Sequence, residues 1–490
     1  MQRHTLRIII AIAAIAVFAS GAIAQDLNYW SVVYTESSTE GGSSGSALIN
    51  SNGQIIGQLT GGNASCDVPL NNPDYYDVYG QFGKSWNLGL AAYLGNGKST
   101  EKSDTDTARR IPDHLARGAE AITSPGLALQ LPAKSSHTVT IADEAIEKGR
   151  KKFEALARAN NKRKVTGVHI AVPDFGKGLW EHIDDGQGNT SWRIAVRAPR
   201  AKTLRLHFTR FVIDPADEVI VYASPDAEYG RKVKPSKTAT TDDFWGPITK
   251  GEVVFLEVVT AAKTPPDVAF DKVSYAVQQF SMTPKSSKEG SCYLDPNCFL
   301  DEIPDLAYLM MGVGQMVFEI EDGQAVCTGT LILDEAGTFT PYFYTANHCF
   351  DADAAADSLI TSFFWFTDQC NGTALPWEQV NTYVEGSDIL VNSSQTDVLL
   401  LQLDDYPPQE AVYFGWSILD QQINDPIMVL HHPAGTYMRL TFGYINGVSD
   451  ADDVILDDDD TDDDSDNDDD DDEGGGGGGG DDDDDGCCGC

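Results

Sequence analysis

Gly42-Ser43-Ser44-Gly45-Ser46 is the first group of residues in this chain that could do chemistry. Serine is a weak nucleophile at neutral pH. It attacks a carbonyl when a base takes its proton, and the developing oxyanion needs donors already fixed in place. Flanking glycines permit a sharp turn that exposes Ser44, with the backbone N–H groups of Gly42 and Ser44 aimed at one oxygen. A flexible Gly/Ser loop has the same composition, so the turn needs partners to mean anything. Those lie about 300 residues later. In Thr345-Ala346-Asn347-His348-Cys349, His348 follows an apolar strand, beside a cysteine able to staple the turn. Its imidazole, mostly neutral at pH 7, accepts a proton. Asp397 in Thr396-Asp397-Val398 opens an apolar strand, where a buried carboxylate can hold the imidazole tautomer and stabilise the imidazolium. Nucleophile, base and orienter together point to acyl transfer.

The elements that must position these residues read as strands, and the fold class expected is all-β. Ala47-Leu48-Ile49, the turn Asn50-Ser51-Asn52-Gly53 and residues 54 to 60 predict a hairpin, with Asn-Gly supplying positive backbone angles. Residues 95 to about 140 are polar and read as a linker, and Asp143 to Arg158 predicts a helix rich in Ala, Glu, Lys and Arg. Residues 192–197 and 204–209 alternate apolar with mostly polar side chains, the period of a half-buried strand. With residues 218–222 and 253–259 they predict an antiparallel sandwich over about 165 to 282. It holds no convergent nucleophile, base and orienter, and reads as a folding, inhibitory or binding module. Strands resume from Cys292 and run through 329–333, 342–344 and 398–401.

Composition narrows the partners. The 490 residues, 41% hydrophobic, allow two or three domains, and the net charge is −41. Residues 450 to 490 carry 22 of the acids and no base, and without them 53 acids still face 34 bases. That balance excludes nucleic acid as the expected partner, since phosphate binding needs a cationic face. The Asp and Gly runs of this tail predict disorder, and they lack the regular spacing of a calcium loop. Met1 to Ala24 reads as a secretory signal, with a basic start, an apolar run too short to span a bilayer and Ala22-Ile23-Ala24 before Gln25. The expectation is a secreted, extracellular protein, off the membrane after signal cleavage. Export favours paired cysteines, and Cys66, Cys292, Cys298, Cys327, Cys349 and Cys370 form an even set with fifteen possible pairings. Cys487, Cys488 and Cys490 lack a fourth ligand for zinc, so no metal and no cofactor is expected.

Taken as residues 292 to 447 followed by 26 to 95, the motifs resemble the trypsin-like serine proteases, and among them the bacterial lysyl endopeptidase group. Cys327-Thr328-Gly329-Thr330 leading to Thr345-Ala346-Asn347-His348-Cys349 resembles the group's base region, and Thr396-Asp397-Val398-Leu399-Leu400-Leu401 its aspartate strand. Phe414-Gly415-Trp416 and His431-His432-Pro433 are similar to the region between aspartate and serine, and residues 39–46 to the nucleophile turn. Residues 56–62 and 77–86 are similar to the strands lining the specificity pocket. The likeness covers about 226 of 490 residues. It implies a chymotrypsin-like double β-barrel and the pairs Cys66–Cys292, Cys298–Cys370 and Cys327–Cys349. It also implies that Asp77 attracts the cationic side chain before the scissile bond, with Asp74 the competing acid. Gly61 and Gly62 leave room for the substrate backbone as an extra strand, and Thr39 and Thr60 complete the substrate-binding set. Thr60 stands where lysine-specific relatives carry histidine, which leaves lysine against arginine open.

The parts come in an unfamiliar order: Ser, His, Asp where the resembled family has His, Asp, Ser. Triads recur in different orders because geometry decides. The pieces are complementary, as a circular permutation or a rearranged gene would leave them. The expected organisation is a signal at 1–24, a second-barrel part with nucleophile and pocket at 25–95, and a linker at 96–140. A helix and propeptide-like β-sandwich follow at 141–284, the part with His348 and Asp397 at 285–448, and the disordered acidic tail at 449–490. Lys285 and Lys288 are the expected processing positions. The function expected is a secreted, monomeric endopeptidase that acts on protein or peptide substrates after Lys or Arg. The alternative is an inactive protease remnant that binds through its sandwich.

Overall fold

The computed structural model describes residues 27–95, 108–116, 137–160, 163–173, 177–184, 186, 188, 190–224, 230–235, 237, 242–277, 292–377, 380 and 382–449. All belong to one compact unit, Met1–Leu456. The expected secretory signal, Lys285, Lys288, the acidic tail, Cys487, Cys488 and Cys490 lie outside the described residues.

The described chain is mostly β-strand. Six strands close into a barrel in the order Tyr29–Glu36, Arg439–Ser449, Pro426–His431, Ala47–Asn50, Ile55–Gly62 and Asp77–Gln81. Four of them thus come from residues 29–81 and two from residues 426–449, and all neighbours are antiparallel. Val32, Leu48 and Tyr79 from the first group fill its core with Val429 and Ile445 from the second. Neither group has enough strands to bury its apolar face alone, so closure by both removes the exposed edges.

The predicted hairpin is present, Ala47–Asn50 against Ile55–Gly62. Its turn differs from the expectation: Gly53 alone takes a positive φ, 73°, and the Asn50 side chain accepts from the backbone of Asn52 and Gln54, each at 3.0 Å. Asparagine here supplies a local acceptor, not a left-handed backbone.

The strand Gly323–Leu331 is central to the other half of the site. It pairs with Val313–Ile320 on one side, then with Tyr342–Ala346, which continues through Val398–Leu403 to Ser387–Ser393. Its Gly323–Val326 end also takes the strand Lys164–Ala171, so the sheet runs on into residues 164–276. Behind this junction Glu319 meets Arg205 at 3.3 Å and His169 at 3.0 Å. Burial raises the Glu319 pKa, but His169 and Arg205 outweigh it and hold the carboxyl below its ordinary value.

Residues 138–276 form two facing sheets around one core, with Ile194, Val196 and Val254 from one and Leu206, Phe208 and Val273 from the other. The pairing is antiparallel apart from Thr138–Thr140, which lies parallel to Thr190–Arg197. That segment, and Arg109–Arg110 paired with Val412–Tyr413, sit in the stretch read from sequence as linker. Short polar strands at sheet edges lack the apolar alternation that would reveal them. The predicted helix spans Asp143–Ala159 and turns Ile146, Gly149 and Phe153 inward. A Cβ at Gly149 would come within 2.6 Å of Ile170, so glycine lets the helix lie close on its strand.

Three disulfides join Cys66 to Cys292, Cys298 to Cys370 and Cys327 to Cys349. The first spans 226 positions and ties the segment carrying the first four barrel strands to the start of the later segment, where Leu294 bridges Leu440 of the barrel.

Candidate active site

His348 sits on the turn after the strand Tyr342–Ala346, with the neighbouring Cys349 tied to Cys327. Asp397 grips this turn three times. Its Oδ2 lies 2.6 Å from His348 Nδ1, its Oδ1 accepts from the His348 backbone N–H at 2.7 Å, and its carbonyl accepts from Asn347 N at 2.7 Å. Asp397 does so at φ 55°, a left-handed backbone that aspartate tolerates better than most residues. Both side chains are 8% exposed. With Nδ1 donating to the carboxylate, Nε2 carries the lone pair, and among the described residues it has no hydrogen-bond partner.

The Ser44 turn packs against the same strands. Ser43 N donates to Glu40 O at 2.8 Å and Ser46 N to Ser43 O at 3.0 Å, while Gly42 and Gly45 take φ 103° and 80°. The Ser44 carbonyl accepts from Thr328 N at 2.8 Å and lies 3.8 Å from Cys349 Sγ. A Cβ on Gly45 would strike Thr345 Oγ1 and come within 2.9 Å of Ala346 N. Glycine at 45 therefore seats the turn on the strand Tyr342–Ala346 that leads to His348. Gly42 is equally crowded, its carbonyl accepting from Thr328 Oγ1 at 2.9 Å and its Cβ position 2.8 Å from Gly435 N. The structure thus gathers the turns of Ser44, His348 and Asp397 in one place.

Asp77 opens the barrel strand Asp77–Gln81 and is buried. Its Oδ2 accepts from Tyr34 Oη at 2.8 Å and from Thr39 Oγ1 in a short contact, and its Oδ1 accepts from Ala64 N at 3.3 Å. Burial pushes its pKa up, and hydrogen bonds from Thr39, Tyr34 and Ala64 pull against that. Tyr34 also meets Tyr79, oxygen to oxygen, at 2.7 Å. Asp74, the competing acid, is exposed in a turn where its N–H meets the Asn72 side chain at 3.1 Å. Gly62 faces the acid so closely that a Cβ would sit 2.5 Å from Asp77 Oδ1, whereas Gly61 faces open space. Thr60 Oγ1 is buried with no partner among the described residues.

Residues beyond the predicted set also hold the site. Thr328 ties the Ser44 turn to the Gly323–Leu331 strand through its N–H and its hydroxyl. Tyr34 and Tyr79 support Asp77, and Gln58 donates to Thr396 O at 2.5 Å. Each is an ordinary strand residue with no local mark of its role. Cys327, His348 and Cys349 cluster within 4.8 Å, but the two sulfurs are bonded to each other and cannot act as thiolate ligands.

The family model for the lysyl endopeptidase C-terminal domain matches residues 11–77 and 286–476, together more than half of the chain. A lysyl endopeptidase of Pseudomonas aeruginosa is 26% identical over 295 residues, a match covering 58% of this chain and 64% of that protein. The chain therefore spans less than two thirds of the length of that relative.

Proposed function

The chain belongs to the lysyl endopeptidase C-terminal domain family, and from that premise we propose that it is a secreted serine endopeptidase cleaving peptide bonds after lysine or arginine. The observation that carries this reading is the state of His348: Nδ1 held by Asp397, Nε2 without a hydrogen-bond partner among the described residues, and the Ser44 turn seated on the adjoining strand.

In the reaction, Ser44 Oγ attacks the scissile carbonyl while His348 Nε2 takes its proton. The imidazolium that forms is stabilised by Asp397, whose hold through both ring and backbone prevents the ring from turning away. The negative charge moves to the carbonyl oxygen, where the N–H groups of Gly42 and Ser44 receive it. On collapse, the C–N bond breaks and His348 returns the proton to the leaving amine. Water then repeats the sequence on the acyl-enzyme and frees the acid.

Asp77 gives the preference for a cation at the residue before the cleaved bond. A buried carboxylate gains far more from a cationic partner than an exposed one, because water screens it less. Gly61, which faces open space, leaves the pocket rim free for the substrate backbone, while Gly62 makes room for Asp77 itself. Three disulfides suit an oxidising compartment. No helix among the described residues is long and apolar enough to cross a membrane. Processing at Lys285 or Lys288 would leave Ser44 and His348 on separate chains, joined by Cys66–Cys292 and the shared barrel.

Purified protein should hydrolyse Lys- and Arg-amide substrates, and Ser44→Ala should abolish that turnover. Turnover that survives Ser44→Ala, or none in the parent protein, would remove this reading.

A further inference from the structure

Ser43, the residue before the proposed nucleophile, is wholly buried. Its hydroxyl oxygen accepts from Glu40 N at 3.1 Å and lies 2.7 Å from His431 Nδ1. The other ring nitrogen, Nε2, lies 3.0 Å from Thr441 Oγ1, which reaches Ser37 Oγ at 3.2 Å and Ser38 O at 3.4 Å. The Ser38 carbonyl only accepts, so with Thr441 donating there its oxygen takes the His431 Nε2 proton. Nδ1 then holds the lone pair, and Ser43 donates to it. The ring is fully buried, and that burial, followed by His432 and Arg439, pushes its pKa down to about 3. It is neutral at working pH, and every partner is consistent with one tautomer.

The residues after His431 grip the same turn. His432 N donates to Thr328 Oγ1 at 3.0 Å, and that hydroxyl donates to Gly42 O. Ala434 N donates to Gly41 O at 2.7 Å. Residues 431–434 therefore run behind residues 41–43. A turn containing Gly41, Gly42 and Gly45 has more backbone freedom to lose than any other composition, so something must select its shape. Of these links, His431–Ser43 joins two side chains and can be removed without touching the backbone.

We propose that His431 is a positioning residue for the peptidase reaction: by holding Ser43 it fixes the turn on which the Gly42 and Ser44 N–H groups meet the oxyanion. The proposal rests on the serine-peptidase reading above. His431 touches no reacting atom. Its effect falls on the transition state, because the donors it aims are used when charge develops on the carbonyl oxygen.

Three single variants, one double variant and two readouts test this. His431→Leu should lower kcat on a Lys-amide substrate about 10- to 100-fold, somewhat less than the loss of a whole oxyanion donor. KM should stay within about twofold and the pH profile of kcat/KM should keep its shape. His431→Asn, whose Oδ1 replaces Nδ1 as acceptor, should recover most of the rate. Ser43→Ala should resemble His431→Leu, and the double variant should be no worse than either. Hydrogen exchange of the amides of residues 40–46 reads the same pin without activity: protection should fall in His431→Leu and persist in His431→Asn. Unchanged kcat, additive losses in the double variant, or equal exchange in Leu and Asn variants would overturn the proposal. A parent protein without Ser44-dependent turnover defeats the peptidase reading instead, and the exchange comparison still decides whether His431 holds the turn.

Discussion

Tyr344 donates its hydroxyl to Gln58 Oε1 across 286 positions of sequence, and both residues are fully buried. Gln58 Nε2 in turn donates to Thr396 O, the carbonyl just before Asp397. One amide on a strand of the Ser44 group therefore braces the strand leading to His348 and the residue preceding Asp397. Replacing Gln58 by leucine would strand a buried phenol and a buried carbonyl, each costing about 1–3 kcal/mol. Gln58→Leu should lower the urea midpoint by a corresponding amount, and kcat should fall with it. A variant as stable as the parent would show that Tyr344 and Thr396 find other partners.

Asp397 holds the ring and the backbone of His348 at once. Asp397→Asn keeps the size of the side chain but offers an N–H where Nδ1–H needs an acceptor, which favours the wrong tautomer. The expected result is a fall in kcat of about three to four decades with little change in KM. Steady-state kinetics on a Lys-amide substrate checks it, and a loss expressed mainly in KM would count against Asp397 as the orienter.

Tyr34 donates to the buried Asp77 carboxylate at 2.8 Å, in what we propose is the specificity pocket. Asp77→Asn should lower kcat/KM for Lys and Arg substrates by at least about 100-fold, since a buried charge partner is worth several kcal/mol. Activity toward a substrate with a neutral residue in that place should change far less. Tyr34→Phe removes one donor to the carboxylate and should cost about 10-fold. Competition between cationic and neutral peptides gives the readout, and an unchanged ratio in Asp77→Asn would move the preference to another residue.

Much of the local structure is legible in the sequence, and the reason is locality. The Gly-flanked serine turn, the Ala-Asn-His-Cys turn, the hairpin at 47–62 and the helix at 143–159 announce themselves within about ten to twenty residues. The disulfide pairs followed from the family likeness, not from spacing. What stayed hidden is non-local pairing. Nothing in Tyr29–Glu36 shows that it zips onto Arg439–Ser449, because an apolar strand matches many partners until register is set by the closed barrel. Ser43 and His431 stand 388 positions apart, and a histidine closing an apolar strand looks like a core residue until its two nitrogens are traced. The joining of Lys164–Ala171 to the end of Gly323–Leu331 was invisible for the same reason.

His431 and His432 make the fold sensitive to acid. Burial chiefly lowers both, His431 to about 3 with His432 and Arg439 adding to it, and His432 to about 4 against the opposing pull of the Thr436 carbonyl. In the unfolded chain each titrates near 6.5. Above that pH both states are neutral at these positions and stability does not depend on them. As pH falls below about 6.5 the unfolded chain binds protons that the native rings refuse, so stability declines down to about pH 4 and 3. The slope per histidine is at most about 1.4 kcal/mol per pH unit. Asp77 and Asp404, whose pKa values burial raises, bind protons more readily when folded and oppose this trend. The comparison must therefore be between variants. In a Ser44→Ala background, urea midpoints between pH 6 and 4 should fall more steeply with His431 than with His431→Asn. Parallel curves would mean that the buried ring takes up its proton without unfolding, and that the Ser43 turn has room to yield.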